Sequence, residues 1–110
     1  YLDKVKCPTL LVTGEFDPLC PLEDAVEAFG DLKVPKEMWV IENQYHPLWG
    51  LPNFGGMDCH DYVMDWLKLL FSGKRVPKKA GRISYIKENG DGPWGDCAWT
   101  PPVKKGQAYF

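Results

Sequence analysis

Two short apolar runs, Thr9–Thr13 (TLLVT) and Met38–Ile41 (MWVI), set the pattern of this chain. Neither alternates apolar with polar positions, and a continuous apolar run predicts a strand buried on both faces. Between them, from Pro21 to about Leu32, Leu22, Val26 and Phe29 recur at helical spacing, with Ala25 and Ala28 on the same side. That stripe predicts an amphipathic helix, with Pro21 in its first turn and Glu23 and Asp24 at the positive end of its dipole. Strand, crossover helix and strand in succession predict a parallel pair. A second stripe of Cys59, Val63, Trp66, Leu67 and Leu70, widened by Tyr62, Met64, Leu69 and Phe71, predicts a helix capped by Asp58 and ended by Gly73. From Lys74 onward prolines and glycines punctuate the chain. One short strand, Arg82 to Ile86, is predicted there, and Trp94, Trp99 and Phe110 suggest a tail pinned across a surface. The organisation expected is an α/β core over residues 1–73 and a Pro/Gly/Trp-rich tail over residues 74–110 packed on its surface.

Each strand runs into a turn that presents one side chain of catalytic type. Gly14, Glu15 and Phe16 lead to Asp17, which Pro18 biases away from helical angles. The second strand leads through Asn43 and Gln44 to His46. Co-directional neighbouring strands bring both side chains to one rim of the sheet, where open α/β folds build their sites. A carboxylate and an imidazole at one rim are two thirds of a charge-oriented nucleophilic triad. Taken alone, Asp17 reads as a turn aspartate before proline and His46 as a loop histidine bonded to backbone; the pairing reverses that balance. Glu15 is a rival acid, but its place nearer the strand suits a supporting hydrogen bond or a surface contact. His60 belongs to the first turn of the second helix. In the loop Asn43 to Gly56, Tyr45, Trp49 and Phe54 suit pocket walls or ordinary core, and Cys20 suits the mouth of a site or burial.

Composition narrows the classes. With 110 residues, 45% hydrophobic and 25% charged, the chain has the balance of a globular domain. A net charge of −2 with dispersed basic residues argues against a nucleic-acid groove or a polybasic membrane contact. No apolar run approaches the roughly 20 residues that cross a bilayer. Cys7, Cys20, Cys59 and Cys97 never form a CxxC pair, and reduced, buried thiols in a reducing, cytoplasmic compartment are expected. Asp58, Cys59, His60 and Asp61 are consecutive, and neighbours one or two apart on a helix are not expected to converge on a metal. No cofactor is called for. Two parallel strands apolar on both faces need edge neighbours and helices on both sides, and an isolated pair is marginal. The chain, which starts at Tyr1 without an initiator methionine, is therefore expected to be a piece of a larger α/β domain.

The run KVKCPTLLVTGEFDPLCP, then KEMWVIENQYHPLWG, then a helix ending DWLKLLFSG resembles the last quarter of an α/β-hydrolase, over Lys4 to Gly73. The resemblance places Asp17 at the triad acid and His46 at the triad histidine, 29 positions apart. It implies the C-terminal part of an α/β-hydrolase fold: the last two parallel strands with their helices. The Pro-Thr-Leu-Leu-Val-x-Gly-Glu-x-Asp form is similar to fermentation-respiration switch protein-like esterases. It is also similar to relatives that cleave carbon–carbon bonds, dihydropseudooxynicotine hydrolase and the fungal yellowish-green pigment polyketide hydrolases. What this implies is a serine hydrolase acting on an ester or on a carbon–carbon bond of a ketone or polyketide, with Tyr45, Trp49 and Cys20 near its substrate. The sequence departs from the pattern at one point: it has no GxSxG, and its only serines, Ser72 and Ser84, sit at a helix end and in the tail strand. The nucleophile and oxyanion-hole amides are expected upstream of Tyr1. The partners implied are the rest of the fold, as an upstream segment or second chain, and a small-molecule substrate, with a homodimer left open. Two other classes stand against this: a hydrolase-fold binding or scaffold protein without chemistry, and a small independent interaction domain.

Overall fold

The computed structural model describes residues 2–46, 57–102 and 108. A 3-10 turn, Leu2–Lys4, precedes β1 (Thr9–Gly14), α1 (Leu22–Asp31), β2 (Lys36–Ile41), α2 (Cys59–Phe71) and β3 (Arg82–Ile86). All three strands are parallel, in the order β1-β2-β3, with Thr9 opposite Lys36 and Glu37 opposite Arg82. The architecture is α/β, as expected. The expectation of one parallel pair as the whole sheet is corrected, because the strand of the tail joins the sheet beside β2.

Successive residues of a strand point to opposite faces, and this divides the core in two. On one face Leu22, Ala25 and Phe29 of α1 pack on Met38 and Val40, with Leu11, Ile83, Tyr85 and Trp99 around them. On the other, Cys59, Tyr62 and Trp66 of α2 pack on Trp39, Ile41 and Ile86. Trp94 of the tail closes edge-on against Trp39, ring centroids 5.7 Å apart. Because α1 and α2 lie on opposite faces while both crossovers step the same way across the sheet, the two crossovers have opposite hands. One of them is therefore of the rare left-handed kind, since such connections are right-handed in about 98% of cases.

β2 extends two residues earlier than the apolar run implied, and its first two positions are charged and buried. Lys36 survives burial because its ammonium donates to the carbonyls of Phe29 and Leu32 at 2.7 and 2.9 Å, at the end of α1. Desolvation, then Lys33, lowers its pKa against the pull of Asp31. Glu37 is paired with Arg75 at 3.4 Å. β2 is buried along its whole length, whereas Thr9–Val12 of β1 are only half-buried, a correction to the expectation of burial on both faces. The reason is position: β1 lies at an edge, and no strand among the described residues covers its outer side.

The Asp58 side chain accepts from the Asp61 amide at 2.9 Å, capping α2 as predicted. Asp58→Ala is expected to lower stability by about 1 kcal/mol, read as a shift of the urea midpoint at unchanged slope; an unchanged midpoint would remove the cap's assigned role. Cys7 and Cys20 are exposed and Cys97 is half-buried, so of the four free cysteines only Cys59 is buried as expected. Burial, then Asp58, pushes the Cys59 thiol up to about 11. Among the described residues no helix is long and apolar enough to cross a membrane.

Candidate functional site

Beyond their last strand residues β1 and β2 stay bonded: the Glu15 amide donates to the Ile41 carbonyl at 2.9 Å and the Phe16 amide to the Gln44 carbonyl at 3.0 Å. This continued ladder carries the two loops side by side past the rim. On the first, Asp17 is buried to 3% exposure, and on the second His46 stands 55% exposed. His46 Nδ1 meets Asp17 Oδ2 at 2.9 Å. Asp17 Oδ1 accepts from the Leu19 amide at 2.8 Å and the Cys20 amide at 3.3 Å. The carboxylate is thereby fixed from behind by backbone and faces the imidazole in front.

Burial is the largest single influence on Asp17 and pushes its pKa up. The Leu19 amide, the bond to His46, the Cys20 amide and the imidazole's charge together outweigh it and hold the carboxyl below its ordinary 3.8. An ionised carboxylate only accepts hydrogen bonds, so Nδ1 must carry a proton, and in the neutral imidazole that leaves the lone pair on Nε2. Among the described residues Nε2 has no partner. Because the folded pKa lies below the unfolded one, the ionised contact stabilises the fold above about pH 3.8, and that contribution is lost as pH falls through the folded value. In urea titrations, the stability difference between wild type and Asp17→Asn is expected to be widest near neutrality and to shrink in acid; a constant gap would contradict the low Asp17 value.

Asp17 and His46 are among the residues that line a groove of about 690 Å³. Its walls are β1, through Leu10, Val12 and Thr13, and α2, through Cys59, Val63 and Trp66. Cys20 lines this groove. Its thiol is pushed up, first by desolvation, then by Asp17 and Asp24, against a hydrogen bond to Thr13, so it stays protonated at neutral pH. Tyr45 does not line the groove but stands 61% exposed on the loop before His46. Trp49 and Phe54 lie outside the described residues. Ser84 is buried in mid-strand opposite Trp39 and Ser72 caps the end of α2, so neither stands on a turn at the rim.

Glu15 is buried, not a surface residue. Its Oε1 accepts from the Tyr85 hydroxyl at 2.7 Å and the Asn43 amide at 3.2 Å, which makes it the support of the His46 loop. Sequence reasoning allowed that role for Glu15 but gave no sign of Tyr85. The ligand atoms of Asp58, His60 and Asp61 approach within 4.8 Å of one another, closer than helical spacing implies, because Asp58 folds back as the cap. The cluster is solvent-facing and its geometry is that of the cap. Comparison with protein families, with curated proteins and with solved structures gives no match for this chain.

Proposed function

We propose that this chain supplies the acid and the base of a Ser-His-Asp triad in an α/β-hydrolase, with Asp17 orienting His46 and the nucleophilic serine donated from outside the sequence. The observation that carries the reading is the 2.9 Å contact between a buried carboxylate and an exposed imidazole at the C-terminal rim of a parallel sheet. Support comes from the departure of β1 from full burial: its apolar side chains, its edge, which no strand among the described residues covers, and the groove beside it are what a neighbouring strand and helix would cover.

In the proposed reaction a serine hydroxyl attacks the substrate carbonyl as His46 Nε2 takes its proton; the O–C bond forms and the carbonyl π pair moves to oxygen. When the tetrahedral adduct collapses, the bond to the leaving group breaks and the imidazolium returns the proton to it. An alkoxide leaves from an ester, a carbanion equivalent from a ketone or polyketide. Water then repeats the cycle on the acyl-enzyme and releases the acid. Throughout, Asp17 holds the tautomer and steadies the imidazolium without itself taking the proton. The residues of this chain near the substrate would be His46 and Cys20, with Tyr45 and Trp49 on the same loop.

The test is labelling of the full-length protein with a fluorophosphonate probe. Covalent labelling at a serine that is lost in His46→Ala is expected; no labelling, in a folded protein with Asp17 and His46 intact, would favour a scaffold that has the sheet without the chemistry.

A further inference from the structure

We propose that Glu15 and Tyr85 are positioning residues for His46, which makes β3, from beyond the stretch that resembles a hydrolase, a working part of the site. Asn43 sits three positions before His46 in a left-handed conformation, φ 58°. A non-glycine residue holds that conformation at a cost, and only where its neighbours fix it. Its amide is fixed by Glu15 Oε1 at 3.2 Å, and the same oxygen is fixed by the Tyr85 hydroxyl at 2.7 Å. Tyr85 is in turn held on both sides. It pairs with Val40 in the sheet, its amide donates to the Cys97 carbonyl at 2.9 Å, and its ring lies 4.8 Å from that of Trp99. The Glu42 amide donates to the Ile86 carbonyl at 2.9 Å, so β3 grips the start of the same loop a second time.

Glu15 is 5% exposed, and a carboxylate so buried is tolerated only with donors in place. Remove the Tyr85 hydroxyl and Glu15 loses a 2.7 Å hydrogen bond; Asn43 loses its anchor's fixed position; His46 is then free to leave the line of Asp17. None of these groups lines the groove that Asp17 and His46 line, so their proposed role is to position the imidazole.

The geometric part stands by itself, whereas its consequence for turnover rests on the proposed function. Two readouts on the full-length protein separate them: the downfield proton resonance of a His46 Nδ1–H bonded to Asp17, assigned by its loss in His46→Ala, and kcat against KM on an ester substrate. Tyr85→Phe keeps the ring and removes one oxygen. It is expected to weaken or broaden the resonance and to lower kcat about tenfold with KM unchanged, a fraction of the loss that an ångström of misplacement can cause. Glu15→Ala should do the same, and Glu15→Gln, which keeps the accepting oxygen, should recover most of both. An unchanged resonance in Tyr85→Phe overturns the proposal, whether or not kcat falls. A disturbed resonance in a protein that turns over nothing upholds the positioning and overturns only the hydrolase.

Discussion

His46→Ala is expected to lower turnover of the full-length protein roughly 10⁴- to 10⁶-fold, the loss that follows when the base of such a triad is removed. Stability should fall by about 1–3 kcal/mol, because the buried Asp17 carboxylate loses the donor at its Oδ2. His46 is 55% exposed, so little packing is lost with it, and among the described residues its bond is to Asp17. The measurement is therefore a pair: initial rates against substrate, and a thermal or urea midpoint. A kinetic loss far larger than that change in midpoint, in a protein still folded under assay, assigns the imidazole to chemistry. Turnover that survives the substitution removes the triad.

Asp17→Asn gives the complementary result, about 10⁴-fold in kcat by the same logic. An amide can keep the Leu19 and Cys20 amides satisfied through its oxygen. Its NH₂ then faces His46, donor against donor, unless the imidazole gives up its Nδ1 proton. The stable tautomer would carry the proton on Nε2, the atom that has to accept one. Geometry would survive while the base is blocked.

The meeting of Asp17 and His46 was legible because each follows an apolar strand by a few residues and parallel topology does the rest. The cap at Asp58 was legible because capping is local. What escaped the sequence depends on distant partners. Lys36 and Glu37 lie outside the apolar run read as strand, since nothing near them announces that α1 carbonyls and Arg75 will satisfy their charges. Tyr85 is 70 positions from Glu15, with no local pattern to link them. The place of β3 beside β2 escaped for a topological reason: it takes two crossovers of opposite hand, against the handedness preference that prunes such choices. β1 was expected to be buried on both faces, and its half-burial follows from its place at an edge that no strand among the described residues covers.

Gly14→Ala is expected to dismantle the site without touching either member of the pair. A Cβ built at Gly14 would fall 2.5 Å from both the Gln44 and the Tyr45 carbonyl oxygens. Both atoms belong to backbone, so no side chain can rotate away, and one of the two strand ends has to move. The loop carrying His46 is the softer of the two, being bound through Asn43, Gln44 and Asp17, whereas Gly14 is paired with Ile41 in the sheet. A forced shift of this kind costs about 1–3 kcal/mol, and an ångström at the imidazole costs about 10²-fold in rate. Gly30→Ala is the matched control: nothing lies within 4 Å of its Cβ, it sits exposed in α1, and the change should stabilise by up to about 1 kcal/mol. Loss of both the His46 Nδ1–H resonance and turnover in Gly14→Ala, with neither lost in Gly30→Ala, is the expected result. If Gly14→Ala retains both, then the closeness of the two loops is not what holds the imidazole against Asp17.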